Sequence, residues 1–363
     1  MRGSGDSGRS FSLPYAELFL NFAGDFYCIH ARKRKFQPLI TNFYVTKRCN
    51  FMCRYCYPPG DEPELPVPEA EAILAKIRPS APALNLTGGE PLLYDGIGAL
   101  IRRARQLGFR PLILSTNGLL IDRVDEELAG LDHLIISLDS LDEQVNDSLS
   151  GVKGITRRVV RNIVKSAALS RRRGFALSIH SVAAPETLAG FEQIVDFCQE
   201  LGITFSFSPE HGRYEPHGGL RQSAEYTRLI DRLIALKRRG KPVASSFGYM
   251  RKIRNFDPHG CYPFVSPRVE PDGRVYLPCQ RIRQRHVYLQ DYGNLCDLMR
   301  REAQWDTGPQ CRDRCFLACY LEVERYLRRP LSLLREVSIR SWLLGRETPA
   351  RPPAQAGAED VRS

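Results

Sequence analysis

The sequence predicts an α/β fold built on a parallel sheet, and two observations carry that expectation. Six short apolar runs, Leu39–Thr46, Ala83–Leu86, Pro111–Leu114, Leu134–Leu138, Phe175–Val182 and Ile203–Phe207, alternate with amphipathic stretches. Strands that alternate with helices need crossover connections, so they pair in parallel, as an open doubly wound sheet or as a barrel. The composition agrees: 363 residues, 43% hydrophobic and 26% charged, supply a sizeable core and exclude a wholly disordered chain. In either form of the sheet, the chemistry belongs at the C-terminal ends of the strands.

Taken in order, residues 1–38 read as an N-terminal extension. Met1 to Ser10 is Gly/Ser-rich and lacks the apolar run of a signal peptide. No apolar run approaches the roughly 18–20 residues of a membrane span, so a soluble, cytoplasmic protein is expected, with thiols kept reduced and open to metal. The first strand leads into a cysteine-rich loop and a helix, Val67–Ile77. Helical patterns at Ile97–Leu107, Arg123–Leu128, Thr156–Arg172 and Leu188–Leu201 fill the later gaps. The rhythm stops after the helix Glu225–Arg239, which puts the core at 39–255. From Phe256 the chain turns to Cys, Pro and short β-like pieces such as Arg274–Leu277, read as a smaller domain at 256–328. Residues 329–363 begin with an apolar stretch, Leu331–Leu344, that carries Arg335 and Arg340. It is expected to dock as a helix, with a lipid surface as the alternative, and a disordered Pro/Ala/Gly-rich tail follows.

The charge balance is +11, from 52 Lys+Arg against 41 Asp+Glu. Its cationic runs, Arg32–Lys35, Arg171–Arg173, Lys237–Lys241, Arg251–Arg254 and Arg281–Arg285, are dispersed and read as solvated surface. An anionic partner is the alternative. Without interleaved aromatic RNA-binding signatures, nucleic acid is not expected.

The 11 cysteines carry more information. They are too few for a disulfide-stapled miniprotein, and their odd number argues against complete internal pairing. Cys49, Cys53 and Cys56 follow the first strand in a CxxxCxxC spacing, close enough for three thiolates to converge. An iron–sulfur cubane takes four ligands, so three cysteines leave one iron open to a substrate or cofactor; a zinc site completed from elsewhere is the rival reading. The second strand ends in Thr87-Gly88-Gly89-Glu90-Pro91, where glycines let backbone approach a ligand and Glu90 can accept from an ammonium group. The third ends in Ser115-Thr116-Asn117-Gly118, equally readable as a turn, and the fourth in Ser137-Leu138-Asp139.

This ordered set, over roughly residues 40–210, resembles the radical S-adenosylmethionine (SAM) superfamily. The resemblance implies an α/β fold of partial six-unit, TIM-like (β/α) barrel type, with Cys49, Cys53 and Cys56 holding a [4Fe-4S] cluster. It implies that SAM chelates the open iron and that its reductive cleavage yields a 5′-deoxyadenosyl radical. Electrons would come from a flavodoxin, ferredoxin or reductase. By position, Tyr55 resembles the adenine neighbour, Gly88, Gly89, Glu90 and Pro91 the methionine-contacting segment, and Ser137 a ribose contact. Asn117 and Asp139 are further candidates.

Five more cysteines, Cys261, Cys279, Cys311, Cys315 and Cys319, lie in the C-terminal part. The first two bracket a hairpin-like Pro271–Val275, whose Asp-Gly is a turn signal. The group resembles the SPASM and twitch auxiliary-cluster domains, with thiols enough for one auxiliary [4Fe-4S] cluster. The expected ligands are Cys261, Cys279, Cys311 and Cys315, with Cys319 the substitute; a zinc knob is the rival. Cys198 reads as a small core residue, and Cys28 and Cys296 receive no role.

On the substrate side, Glu210 and His211 follow the sixth strand as a candidate acid/base pair, with Tyr262 another candidate; His180 reads as structural. The expected activity is hydrogen abstraction from a small molecule. A peptide maturase is the alternative within the class, and a non-catalytic zinc- or cluster-binding protein is the alternative outside it. The short N-terminal extension favours the small molecule, and the lack of a terminal Gly-Gly speaks against a molybdenum-cofactor cyclase.

Overall fold

The computed structural model describes residues 13–31, 37–56, 60, 62–212, 215–302 and 315–328. The six apolar runs form β1 (Ile40–Tyr44), β2 (Ala83–Thr87), β3 (Leu112–Thr116), β4 (His133–Ser137), β5 (Ala176–Ala183) and β6 (Thr204–Pro209). Each pairs in parallel with the next, Asn42 beside Asn85, Leu86 beside Leu114 and Ile136 beside Ile179. A seventh strand, β7 (Arg268–Val269), comes from far along the chain and pairs in parallel with β1, giving the order β6-β5-β4-β3-β2-β1-β7. The sheet is a partial TIM-like barrel.

Alternation along the strands explains the layers. Phe43, Leu84, Leu114, Ile136, Ile179 and Phe205 are buried on one side, against the helices. The other side of the sheet carries Asn42, Asn85, Ser115, His180, Ser206 and Ser208, none of them fully buried. Three of these form a ladder: Ser115 Oγ donates to Asn85 Oδ1 (3.0 Å), Asn85 Nδ2 to Asn42 Oδ1 (3.0 Å), and Asn42 Nδ2 to Ser266 Oγ (3.1 Å). The lumen is polar.

The outer layer holds α2 (Val67–Ile77), α3 (Ile97–Gln106), α5 (Thr156–Arg173) and α6 (Phe191–Leu201). The helix expected at Arg123–Leu128 is instead two short 3₁₀ turns, Ile121–Val124 and Glu127–Gly130. Ile121, Val124 and Leu128 are still buried, so the apolar spacing is met without a continuous helix. The sequence reading missed α4 (Glu143–Ser150), whose first turn is capped by Asp142 accepting from Val145 N (3.1 Å). A short α7 (Gly218–Arg221) precedes α8 (Ala224–Arg238) and α9 (Phe247–Asn255).

Beyond β7 the chain turns at Gly273 (φ +86°) into β8 (Arg274–Leu277), which pairs antiparallel with β9 (Arg285–Tyr288). Helices α10 (Leu295–Glu302) and α11 (Ala318–Arg328) follow. The N-terminal extension contains a further unforeseen helix, α1 (Leu13–His30), which packs against α11 through Leu18 and Phe22 on Leu327. The stretch Leu331–Leu344, the tail and Cys311 lie outside the described residues.

Candidate active site

The loop after β1 carries Cys49, Cys53 and Cys56 and is held from two sides. On one, Met52 N and Arg54 N donate to Ser150 O (2.7 Å) and Leu149 O (3.2 Å) at the end of α4. On the other, Gly89 N donates to Thr46 O and Glu90 N to Arg48 O, both at 2.8 Å. A Cβ at Gly88 would lie 2.5 Å from Thr46 O, and one at Gly89 would lie 2.3 Å from Arg48 O. The contact these glycines permit is therefore with the backbone leading into the cysteines, where sequence reading expected a ligand.

Glu90 is buried, and both its carboxylate oxygens are occupied. Oε1 accepts from Leu92 N (3.0 Å) and Thr116 Oγ1 (2.6 Å), and Oε2 accepts from Asn117 N (2.7 Å). Burial pushes its carboxyl up to about 7 while these donors pull the other way. Glu90 thus ties the ends of β2 and β3 together. Pro91 is buried and opens a single 3₁₀ turn, Pro91–Leu93. Asn117 Nδ2 donates to Asn50 Oδ1 (2.7 Å), which brings the end of β3 onto the cysteine loop.

Tyr55 donates its hydroxyl to Asp139 Oδ2, and Val182 N donates to Oδ1 (2.7 Å). Burial raises Asp139 to about 6, and the nearby charge of Glu210 adds to the shift. Arg54 makes a two-armed pair with Glu186, one arm at 2.7 Å, and lies 3.7 Å from Glu210 Oε2. That oxygen is buried without a hydrogen-bond partner. Glu210 therefore stands beside the cysteine loop, as does Asp139. Ser137 is exposed at the end of β4, in register with His180.

His211 is placed differently. Its Nδ1–H donates to Pro209 O (2.8 Å), and Nε2 accepts from Phe316 N (3.0 Å). Burial drives it down to about 4. With both nitrogens engaged, the ring fastens β6 to the segment bearing Cys315, leaving neither nitrogen for the expected acid/base work.

His180 is held in the lumen by Ser206 Oγ at Nδ1 (2.9 Å) and Ser208 Oγ at Nε2 (3.2 Å), the structural role anticipated for it. Burial lowers it from 6.5 to about 4, so the folded protein holds it neutral. Its contribution to stability is complete above pH 6.5 and is lost as the pH falls toward 4. Acidification across that window is expected to cost the wild type up to about 3 kcal/mol that a His180→Gln variant keeps, read from paired urea midpoints.

The second thiol group acts on Tyr320. Burial raises this phenol well above its usual value, and Cys319, Cys279, Cys261 and Cys315 all add to the shift, so four thiols lie within electrostatic reach of one ring. Tyr44 lies under the Arg268 guanidinium, at 3.4 Å from the ring centroid. Arg268 Nη2 donates to Glu270 Oε2 (3.0 Å), and Glu270 also pairs with Lys47 at 3.0 Å. Burial raises Tyr44 first, and both Cys319 and Cys56 contribute. Among the described residues, no three His, Cys, Asp or Glu side chains converge as ligands of a single ion. A cubane, which takes each thiolate on a separate iron, does not require that convergence. Cys198 is fully buried in α6, as a core residue would be.

Sequence reading passed over Arg54, Asn50 and the lumen ladder. The ladder had a signal, since Asn42 and Asn85 are polar residues inside apolar runs.

Residues 43–198 match the Radical SAM superfamily, a span that holds all three loop cysteines and the strand-end motifs around them. This is a radical SAM domain. Such domains use a [4Fe-4S] cluster and SAM, and the homologues are enzymes. The chain is 32% identical over 206 residues to pre-heme d1 synthase of Dinoroseobacter shibae, covering 53% of this chain and 49% of that protein. It is 29% identical over 169 residues to a probable GTP 3′,8-cyclase of Methanococcus aeolicus, covering 44% and 55%. It thus spans about half the length of the curated relatives it matches. Among solved structures, Streptococcus suis SuiB bound to precursor peptide SuiA aligns with a TM-score of 0.62 at 18% identity, over 88% of this chain and 79% of that one. The protein anSMEcpe with bound AdoMet aligns at 0.55 and 17% identity, over 82% and 95%. At these identities the radical SAM domain shares their fold.

Proposed function

We propose that this enzyme cleaves SAM reductively at a [4Fe-4S] cluster held by Cys49, Cys53 and Cys56, and takes hydrogen from a small, uncharged, hydrogen-bonding substrate in the barrel. The observation that carries the reading is the polar inner face of Asn42, Asn85, Ser115, His180, Ser206 and Ser208, on the sheet whose first strand leads into the cysteine loop. The three loop cysteines fit the cluster chemically. Burial raises Cys53 to about 12, and Asp139, Cys56 and Cys49 add to the shift, a penalty on thiolates that coordination to iron cations reverses. When bound, the cluster supplies the electron that breaks SAM into methionine and a 5′-deoxyadenosyl radical.

The chain's own residues position and shield this chemistry. Tyr55, oriented by Asp139, offers its ring to the adenine, and exposed Ser137 offers its hydroxyl to the ribose. Gly88–Pro91 contributes the segment at the methionine end, which Glu90 ties to the end of β3. Glu210, whose buried Oε2 has Arg54 at 3.7 Å but no hydrogen bond, is the proton-accepting group we favour for substrate. The relatives named as cyclase and synthase act on small molecules, which agrees with this choice. The peptide-maturase alternative leans on SuiB, whose likeness speaks for fold alone.

We further propose that Cys261, Cys279, Cys315 and Cys319, each of which raises the Tyr320 phenol, are candidate ligands of an auxiliary cluster, with Cys311, which lies outside the described residues, the other candidate for the fourth place. Anaerobic reconstitution tests both assignments. With dithionite and SAM the protein should release 5′-deoxyadenosine and carry roughly eight irons per chain. Cys319→Ser should fall to roughly four irons while still cleaving SAM. Zinc in place of iron, or no 5′-deoxyadenosine, overturns the function; an unchanged iron count in Cys319→Ser returns the fourth ligand to Cys311.

A further inference from the structure

An electron for the cluster has to cross the protein surface, and its transfer slows steeply with distance, so a donor must land beside the cysteine loop. Met52 lies in that loop between Cys49 and Cys53 and is 63% exposed. Its backbone N–H donates to Ser150 O (2.7 Å) at the end of α4. A Cβ added at the next residue, Gly151, would lie 3.0 Å from Met52 Cβ, so the loop touches the connection between α4 and α5. That connection is cationic. Lys153, Arg157, Arg158 and Arg161 are exposed, and α5 contains no acidic residue from Thr156 to Arg173. The acids nearby are engaged: Asp147 accepts from Thr156 Oγ1 (2.5 Å), Glu143 pairs with Arg157 (2.6 Å), and Asp142 caps α4 through Val145 N (3.1 Å). Among the described residues, Lys153, Arg158 and Arg161 make no ion pair.

We propose that Met52 and the cations Lys153, Arg158 and Arg161 form the landing site of an acidic one-electron carrier protein. The inference rests on the reading that Cys49, Cys53 and Cys56 hold the cluster, and it adds the place and the charge of the donor. The step itself is simple: the carrier is oxidised by one electron, the cluster is reduced by one, and no atom changes partner. Redox encounters between proteins are small and transient, so a few charges around an exposed apolar contact are enough to direct them. Unpaired cations raise the arrival rate of an acidic partner by about 10- to 1,000-fold at low salt. Charge decides among the occupants. A second copy of the chain would bring the same +11 and be repelled. None of the four residues is aromatic, so nucleic acid would find charge here without a platform for its bases.

The test uses the full-length, cluster-loaded protein and an acidic flavodoxin. Calorimetric titration with oxidised flavodoxin should show a complex at low salt that weakens as sodium chloride is raised. A Lys153→Glu/Arg158→Glu variant should bind at least about tenfold more weakly. Reduced flavodoxin should bleach its cluster absorbance about tenfold more slowly, in the absence of SAM. Its iron content should be unchanged, as should SAM cleavage driven by dithionite, a reductant small enough to need no docking. Arg172→Glu is the control: it is exposed on the same helix about 21 Å beyond Arg158, farther than a Debye length of about 10 Å, and should bind as the wild type does. The proposal fails if the wild type does not bind flavodoxin, if the double variant binds and is reduced like the wild type, or if Arg172→Glu weakens binding equally. It also fails if a DNA oligonucleotide outcompetes flavodoxin on the wild type and loses its affinity in the double variant. Absence of 5′-deoxyadenosine from the wild type with dithionite would overturn the function instead, an outcome that the binding measurement keeps distinct.

Discussion

A Cys53→Ala variant, reconstituted anaerobically beside the wild type, should lose the iron–sulfur absorbance of the first site and form no 5′-deoxyadenosine above background. The drop should be at least about 100-fold, the scale reached when even an outer partner of a metal ligand is removed. The reason is local. Cys53 is the middle one of the three thiols in the chain, and Asp139, Cys56 and Cys49 all act on it. Two remaining cysteines cannot hold three irons. Cys198→Ala is the matched control, because that thiol is fully buried in the core of α6. It should lower stability and leave SAM cleavage intact. Full activity in Cys53→Ala would remove the basis for placing the chemistry on this loop.

Gly89→Ala should be nearly as damaging by a different route. The new methyl carbon would start 2.3 Å from Arg48 O and 2.5 Å from Lys47 O, and both neighbours are backbone that cannot rotate aside. The segment must then back away, breaking the 2.8 Å bonds from Gly89 N to Thr46 O and from Glu90 N to Arg48 O. Overpacking of this kind costs about 3 kcal/mol. The predicted readouts are a lower urea midpoint and poor iron incorporation at the first site. Gly218→Ala, where an added Cβ meets nothing within 4 Å, should be close to neutral. Equal stability of the two variants would show that the cysteine loop does not depend on this packing.

Much of the fold was legible because strands and helices alternate at their own periods. The helix Val67–Ile77 and the strand Arg274–Leu277 have the same bounds in sequence and structure. The loop cysteines and the strand-end motifs were legible because short spacings survive without knowledge of the tertiary fold. The assignments inside those motifs were less so. Glu90 reads as an acceptor for an ammonium group, with nothing to show that it also accepts from Thr116 and the backbone of Asn117, more than twenty residues on. His211 resembles a free base until Phe316, 105 positions away in the chain, occupies its second nitrogen. Helix α1 was missed because its apolar residues circle most of the helix, leaving no clean amphipathic pattern to find. Strand β7 has two residues, too few for any period to register.

That shortest strand has the widest mechanical reach. Around it, Leu39 N donates to Val265 O (2.8 Å), Asn42 N to Pro267 O (3.0 Å) and Leu65 N to Pro271 O (3.0 Å). Lys47 joins Glu270 (3.0 Å), and Arg274 Nη2 joins Glu62 Oε2 (2.8 Å). Residues 265–274 are thus stitched to the strand and loops on both flanks of the first three cysteines. A chain cut after α9 would keep every SAM motif in its sequence yet lose the seam that braces them. The smallest cooperative unit of this protein therefore reaches past the barrel's own helices, and strain introduced at residues 265–274 is carried through a handful of backbone bonds to the flanks of the cysteine loop.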